Sequence, residues 1–255
     1  PEKLDWIKEL KNVRRGRIKE YAEAFDLVYL ENETPWAIKC DLAFPSATQN
    51  EINKSDGEVV SENSLLLTAK GETRALLLAE RSALNFIGRL SGIATLTKNW
   101  VDEVADTKTE IRDTRKTTPG LRELEKYAVR MGGGKNHRFS LSDAALVKDN
   151  HVLAAGGVAQ AFKLVKEKFP NLPLEVEVDS LQQLREVIEA GAELVLLDNM
   201  TIEECRTAVE IVSGRAKLEA SGGLILSNAH AYAKTGVDYL AVGALTHSAP
   251  VLDIG

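Results

Sequence analysis

The stretch PLEVEVDSLQQLREVIEAGAELVLLDN, Pro173–Asn199, decides the fold class. Two short apolar runs flank a helical pattern at Leu181–Ala190, and the runs end at Glu177 and Asp198. A strand, a helix and a second strand in this order predict a βαβ unit with parallel strands. Because the carboxyl ends of parallel strands meet at one edge, we expect the two carboxylates to lie close together.

The same alternation recurs from Glu110 onward and predicts an α/β barrel. The predicted strands are Glu110–Asp113, Ala144–Val147, Pro173–Val176, Glu193–Leu197, Lys217–Ala220 and Tyr239–Val242. The predicted helices are Pro119–Arg130, Val158–Phe169, Leu181–Ala190, Ile202–Val212 and Ser227–Thr235. A regular barrel has eight strands, so either the first half contributes more strands or the barrel is incomplete.

The first hundred residues have a different pattern. Apolar spacing predicts a helix at Leu4–Val13, a short strand at Leu65–Thr68 and a long helix through Leu76–Ile93. The long helix could carry an interface or link two domains. We therefore predict one domain at residues 1–109 and a second at residues 110–255.

The composition is that of an ordinary globular protein, with 255 residues of which 44% are apolar. The net charge of −6 argues against a nucleic-acid-binding surface. The absence of a long apolar run or a signal peptide pattern argues against a membrane role and favours a cytoplasmic location. Cys40 and Cys205 lack CxxC spacing, so we expect buried thiols and not a zinc site or a disulfide.

Basic residues follow the first predicted strand. Arg115 and Lys116 lie side by side within DTRKTTPG. An arginine can hold a carboxylate with two parallel hydrogen bonds, and a lysine can bind a phosphate as a point charge. The alternative is a solvated surface pair, but the hydroxyl-rich neighbours indicate an ordered turn. His137 and Arg138 follow the glycines of Gly132–Gly134, which permit a close backbone approach or positive φ. An isolated histidine in such a place is usually structural.

Charged residues also end the next strands. Lys148 lies in the apolar strand AALVKDNH, where a buried ammonium would need an anionic partner or a shifted pKa. Glu177 and Asp198 can hold ribose hydroxyls or a magnesium ion. The alternatives are ion pairs with Lys148 or the arginines, or glycoside hydrolysis by paired carboxylates. The neighbouring cations favour an anionic substrate.

Two glycine-containing segments follow the last two predicted strands, namely SGG at Ser221–Gly223 and VGA at Val242–Ala244. Glycines after late barrel strands allow backbone N–H groups to face a phosphate. Together with the basic residues, they indicate a sugar-phosphate substrate.

These residues lie in segments that, in order and spacing, resemble the quinolinate phosphoribosyltransferases, also called nicotinate-nucleotide pyrophosphorylases (carboxylating). The resemblance covers nearly everything after about Gly57. The segments are Leu76–Thr95, Asp113–Arg138, Ala145–His151, Glu175–Ser180, Leu194–Asn199, Glu219–Gly223 and Gly236–Gly255.

The resemblance implies an N-terminal α/β sandwich domain with a connecting helix at 1–109 and an irregular α/β barrel at 110–255, the last residues returning to the first domain. It implies an enzyme of the glycosyltransferase (pentosyltransferase) class. Such an enzyme transfers phosphoribose from phosphoribosyl pyrophosphate to quinolinate, with magnesium, in de novo NAD biosynthesis. Carbon dioxide and pyrophosphate are lost and nicotinate mononucleotide is formed. A homodimer, or a hexamer built from dimers, is also implied.

Carried over by position, the resemblance assigns roles to residues of this chain. Catalytic roles fall on Lys116, Lys148, Glu177 and Asp198. Substrate contacts fall on Arg81, Thr114, Arg115, Lys116, His137, Arg138, Lys148, Glu177 and Asp198. Phosphate contacts fall on Ser221, Gly222, Gly223, Val242, Gly243, Ala244 and His247. Magnesium is assigned to Glu177 and Asp198, directly, through water or through the ribose. Arg81 would reach the barrel of a neighbouring subunit.

The stretch before Gly57 departs from the family pattern and lacks its GDxT-like element. Two other functions remain open. A related phosphoribosyltransferase could act on nicotinate or another pyridine or azole acid, although the number of cations favours a dicarboxylate. A non-enzymatic scaffold or sensor would be expected to have lost barrel residues, and none is missing.

Overall fold

The computed structural model describes residues 73–254 without a gap, together with residues 20, 23–25, 58–61 and 66. The chain divides into two compact units, Pro1–Ala43 and Phe44–Gly255, and every element described below belongs to the second. The helix predicted at Leu4–Val13 and most of the predicted N-terminal sandwich lie outside the described residues. So does the strand predicted at Leu65–Thr68, apart from Leu66. The domain boundary after residue 109 stays a prediction.

Strands and helices alternate along the described part of the chain. The strands are β1 Glu110–Arg112, β2 Ala145–Val147, β3 Leu174–Val178, β4 Leu194–Asp198, β5 Lys217–Ser221 and β6 Tyr239–Ala241. The helices are α1 Thr73–Glu103, α2 Arg122–Met131, α3 Asp149–Ala155, α4 Val158–Lys168, α5 Leu181–Glu189, α6 Ile202–Val212, α7 Leu226–Ala233 and α8 Ala244–His247. None of these helices is long and apolar enough to cross a membrane.

The six strands form one parallel sheet in the order β1-β6-β5-β4-β3-β2. All six predicted strands are confirmed within two residues, and the α/β barrel class is confirmed with them. Residues 110–254 thus contribute six strands, with β1 and β2 at the two ends of the order. Most of the first half of the chain, which could add further strands, lies outside the described residues. The backbone at Lys135 adds a bridge to Arg112 beside β1.

The two faces of the sheet differ in chemistry. Side chains alternate along a strand, so Val176, Val178 and Val195 share one face and are fully or almost fully buried in the apolar core. The opposite face carries four carboxylates next to several leucines. The carboxylates are Glu175 and Glu177 in β3, Asp198 in β4 and Glu219 in β5, and the leucines are Leu146, Leu194 and Leu196. A regular barrel interior is filled with branched apolar side chains. Here it also carries carboxylates, and the candidate functional site lies on this face.

Helix α1 packs closely against other backbone segments through glycines. A Cβ built at Gly92 would lie 1.9 Å from the carbonyl oxygen of Pro250, and one at Gly132 would lie 2.3 Å from that of Ala94. Only glycine allows such approaches. Gly133 has a φ of 87°, so the predicted roles of the Gly132–Gly134 run are confirmed.

The expectation of buried thiols holds for Cys205. It is a free cysteine in the apolar core, and burial raises the pKa of its thiol to about 12. Cys40 lies outside the described residues.

Candidate functional site

The predicted site residues of the barrel gather at the carboxyl ends of its strands. Lys116 follows β1, Lys148 follows β2, Asp198 and Ser221 are the last residues of β4 and β5, and Gly243 follows β6. Parallel strands present these ends at a common edge. The register aligns Asp198 with Ser221, so residues distant in sequence become neighbours.

A pair of arginines forms the cationic part of this edge. Arg138 is partly buried, and its burial together with the charge of Arg115 lowers the pKa of its guanidinium. The Nε atoms of both arginines are buried without a hydrogen-bond acceptor among the described residues. An unpaired buried donor costs about 1–3 kcal/mol. Two neighbouring guanidinium groups with free donors therefore form a site that an anionic ligand would stabilise.

The environment of Lys148 differs from the one predicted. This lysine is the N-cap of α3, with its side chain 46% exposed, so the expectation of a buried ammonium is wrong. Strand β2 ends at Val147 and α3 begins at Asp149, so Lys148 lies in the turn between them and not within the strand. An anionic partner is nevertheless present, because the ammonium donates to Glu177.

Glu177 and Asp198 face the interior of the barrel on adjacent strands. Glu177 pairs in register with Leu196, and Asp198 lies two residues further along the same face of β4. Asp198 accepts a 2.8 Å hydrogen bond from the side chain of Asn199 and keeps a second carboxylate oxygen. Carboxylate oxygens are the ligands that magnesium prefers. The donor set therefore fits a magnesium ion.

The two glycine loops lie on neighbouring strands, β5 and β6. Gly222 and Gly223 have φ angles of 92° and 62°, and a Cβ at Gly222 would lie 2.1 Å from the Asn199 side chain. These positions therefore require glycine. A Cβ at Gly243 would lie 3.2 Å from Cδ of Lys116, so Lys116 reaches the second loop.

His247 also lies beside this second loop. Its Nε2 would be 3.1 Å from a Cβ built at Gly243. The hydroxyl of Thr246, in the same short helix α8, donates to the carbonyl of Lys116 over 2.9 Å. The chain after β1 and the chain after β6 are thus tied together next to the loop.

A clamp that the sequence did not reveal holds the turn after β1. The guanidinium of Arg89 in α1 donates to Glu125 over 2.8 Å, and Glu125 accepts the N–H of Thr118 over 3.0 Å. Arg89 also donates to the carbonyl of Thr246. Its spacing within an amphipathic helix gave no sign of these long-range contacts.

A second set of missed residues, Glu175, Glu219 and Arg112, surrounds the predicted site residue His137. His137 is buried against Glu175 and Glu219, and Glu219 pairs with Arg112. His137, Glu175 and Glu219 place ligand atoms within 4.8 Å of one another. Arg112 already supplies a positive charge to this cluster. The only sequence signal was the alternation of strand residues, which puts Glu175 on the face of Glu177.

Arg81 lies on the exposed surface of α1, where it lines a pocket with Leu84, Asn85 and residues 251–254. Within the described residues it forms no ion pair, including with Glu80, while Glu72 lies outside them. The expectation that Arg81 serves the site of another subunit stays a prediction.

The fold and the site define a class. It is a parallel α/β barrel whose strand ends bring together cations, carboxylates and glycine loops suited to an anionic ligand. Residues 93–255 match the family model for the quinolinate phosphoribosyl transferase C-terminal domain. That match spans well over half of the chain, and the chain belongs to this family.

Two relatives and one solved structure give the degree of similarity. The nicotinate-nucleotide pyrophosphorylase (carboxylating) of Mycobacterium leprae is 56% identical over 203 residues, covering 78% of this chain and 72% of that protein. The probable enzyme of the same name from Bacillus subtilis is 44% identical, with coverages of 81% and 72%. The crystal structure of nicotinate-nucleotide pyrophosphorylase from Ehrlichia chaffeensis matches with a TM-score of 0.77 at 43% identity, covering 80% and 75%.

The beginning of the chain resembles a different family. Residues 3–68 match the model for glutamate/leucine/phenylalanine/valine dehydrogenase. This match covers the stretch before Gly57 in which the sequence departs from the quinolinate phosphoribosyltransferase pattern. It spans about a quarter of the chain and does not change the family of the barrel.

Proposed function

We infer that this chain transfers phosphoribose from phosphoribosyl pyrophosphate to quinolinate in de novo NAD biosynthesis. The products are nicotinate mononucleotide, carbon dioxide and pyrophosphate. The enzyme is a pentosyltransferase. The family of the chain supports this reaction, and the cytoplasmic location expected from the sequence stays a prediction.

One observation carries the choice of a dicarboxylate substrate. Arg115 is close enough for its charge to lower the pKa of the Arg138 guanidinium, after the larger effect of burial, and each arginine has a buried Nε without an acceptor among the described residues. Lys148 adds a third, more exposed cation at the same edge. A guanidinium can hold one carboxylate with two parallel hydrogen bonds. Two such groups and an ammonium suit a ligand with two carboxylates better than a ligand with one.

The remaining residues suit the transfer step. The pyridine nitrogen attacks the anomeric carbon, pyrophosphate leaves, and positive charge develops on the ribose. Glu177 and Asp198 stabilise this charge electrostatically from the barrel interior. Lys116, beside the loop at Gly243, neutralises the departing pyrophosphate. The carboxylate next to the ring nitrogen then leaves as carbon dioxide, and a proton takes its place on the ring carbon.

We also propose magnesium as the cofactor. Glu177 and Asp198 would hold it, and the bound ion would neutralise charge on the pyrophosphate. Glu177 is also the partner of Lys148, so the lysine can hold the carboxylate in place before the ion arrives. The loops at Ser221–Gly223 and Val242–Ala244 would bind the 5′-phosphate through backbone N–H groups.

We further propose that the active unit is at least a homodimer. Arg81 is exposed on α1, beside residues 251–254 and without an ion pair in the described part of the chain. The exposed apolar side chains of Leu77, Leu78 and Phe86 lie on the same helix, which suits an interface. Arg81 would then complete the cationic set of the partner's barrel.

The reaction is tested with quinolinate labelled in the carboxylate next to the ring nitrogen. With phosphoribosyl pyrophosphate and magnesium, we expect one labelled carbon dioxide for each nicotinate mononucleotide formed. Nicotinate should be a poor substitute, and equal turnover on both acids would contradict the dicarboxylate assignment. Arg115→Ala should lose activity. Arg206→Ala is the matched control, because Arg206 pairs with Glu203 on the surface of α6 and should leave turnover unchanged.

A further inference from the structure

His137 uses all of its hydrogen-bonding groups within the protein. Its backbone N–H donates to Asp113 over 2.7 Å, and its carbonyl accepts from the ammonium of Lys126 over 2.9 Å. Its ring Nδ1 accepts the backbone N–H of Arg138 over 2.8 Å, and its Nε2 lies 2.8 Å from a carboxylate oxygen of Glu175. The side chain is 8% exposed. No polar group of this residue is left for a ligand.

The hydrogen bonds also assign the protons of the ring. A backbone N–H can only donate, so the Nδ1 that accepts it must carry a lone pair. The proton of the neutral ring therefore lies on Nε2, where it is donated to Glu175. A second proton on Nδ1 would bring two N–H groups face to face and break the bond to Arg138. The ring is held as the Nε2–H tautomer and has no donor for a substrate carboxylate.

Two strands hold the Nε2 side of the ring. Glu175 lies in β3 and Glu219 in β5, and a carboxylate oxygen of Glu219 lies 3.5 Å from the same Nε2. Arg112 in β1 pairs with Glu219 and supplies the balancing charge. The barrel strands thus fix the imidazole ring of His137. The Nδ1 atom of that ring in turn fixes the backbone N–H of Arg138.

Building on the proposed function, we propose that His137 is a positioning residue and does not contact quinolinate. It fixes the backbone at Arg138, whose guanidinium also donates to the carbonyl of Ala144 over 3.1 Å. These two restraints hold the guanidinium beside Arg115, where a substrate carboxylate would bind. Glu175 acts through His137 in the same way.

Two substitutions of His137 separate this role from direct contact with the substrate. His137→Asn keeps an acceptor near the position of Nδ1 and removes the Nε2 donor. His137→Gln keeps a donor near Nε2 and removes the acceptor for the N–H of Arg138. A positioning role predicts that Asn retains quinolinate binding better than Gln. A direct contact through Nε2–H predicts the reverse order.

A double-mutant cycle with Arg138→Ala gives the quantitative test, with quinolinate dissociation constants measured by calorimetry. In the protein that retains Arg138, we expect His137→Gln to raise the dissociation constant about tenfold. In the Arg138→Ala variant, the same substitution should raise it less than about twofold. Equal effects in both backgrounds would overturn the inference. His230→Asn is the matched control, because His230 has a carboxylate partner, Asp106, on the surface.

The ring itself can be observed in the wild-type protein, which also serves if the variants fail to fold. The chain has four histidines, so two-bond nitrogen–proton spectra of histidine-labelled protein can be assigned. We expect Nδ1 of His137 to remain the acceptor of the Arg138 N–H, without a proton of its own, with and without quinolinate. A doubly protonated ring on quinolinate binding would overturn the inference. Wild-type protein that binds no quinolinate would instead refute the proposed function.

Discussion

Glu219→Gln should stabilise the protein at alkaline pH, although Glu219 is paired with an arginine. The side chain of Glu219 lies in β5 with no exposed surface, next to Arg112 and Glu175. Burial, and after it the charge of Glu175, raise the pKa of this carboxyl to about 7 from an ordinary value of 4.5. The attraction of Arg112 acts in the opposite direction and is the smaller effect.

The sign and size of the effect follow from the difference between the pKa of Glu219 in the folded protein and its ordinary value. A raised pKa means that the folded state favours the protonated form. The resulting stabilisation is present below pH 4.5 and is lost as the pH rises through about 7. At about 1.4 kcal/mol for each pH unit, the loss amounts to about 3 kcal/mol. Glutamine has nearly the shape of the protonated acid and does not ionise. The variant should match the wild type near pH 4.5 and exceed it by about 3 kcal/mol at pH 8.

Urea unfolding followed by circular dichroism measures this difference at several pH values. The quantity to compare is the free energy of unfolding of the variant minus that of the wild type, because other titrating groups cancel. Glu203→Gln, on the exposed surface of α6, is the control and should not reproduce the gain in stability at pH 8. A variant that is less stable than the wild type at pH 8 would show that the pairing with Arg112 outweighs burial.

Three further predictions concern catalysis and packing. Arg138→Ala should reduce kcat/KM for quinolinate tenfold or more, about 1.5–3 kcal/mol, through loss of a charge-assisted hydrogen bond, and unchanged quinolinate affinity would refute the role. Mixing inactive Arg81→Ala subunits with inactive Lys148→Ala subunits should restore activity, because one of the two sites of a mixed dimer then has both residues. Subunit exchange without recovery of activity would contradict a shared site. Gly92→Ala should lower the free energy of unfolding by about 1–3 kcal/mol, since its Cβ would lie 1.9 Å from the carbonyl of Pro250; an unchanged urea midpoint would contradict the close approach.

The order of strands and helices could be predicted from the sequence because it depends on local periodicity. The helix predicted at Ile202–Val212 is present with those bounds, and each of the six strands lies within two residues of its predicted position. The sequence also placed the candidate site at the strand ends, because parallel strands share that edge. Two short helices, α3 and α8, were not predicted, since four to seven residues carry too little periodicity.

Tertiary structure decided the environment of the charged residues. The alternation LEVEV at Leu174–Val178 marks one face of the strand as polar, which in many sheets would face water. In this barrel that face turns inward, so Glu175 is buried against His137. Lys148, which was expected to be buried, remains half exposed. Glu175 and Glu219 are far apart in the chain and meet only because β3, β4 and β5 pair in register. Local sequence patterns determine which side chains share a face, but only the long-range pairing of strands determines what that face is buried against.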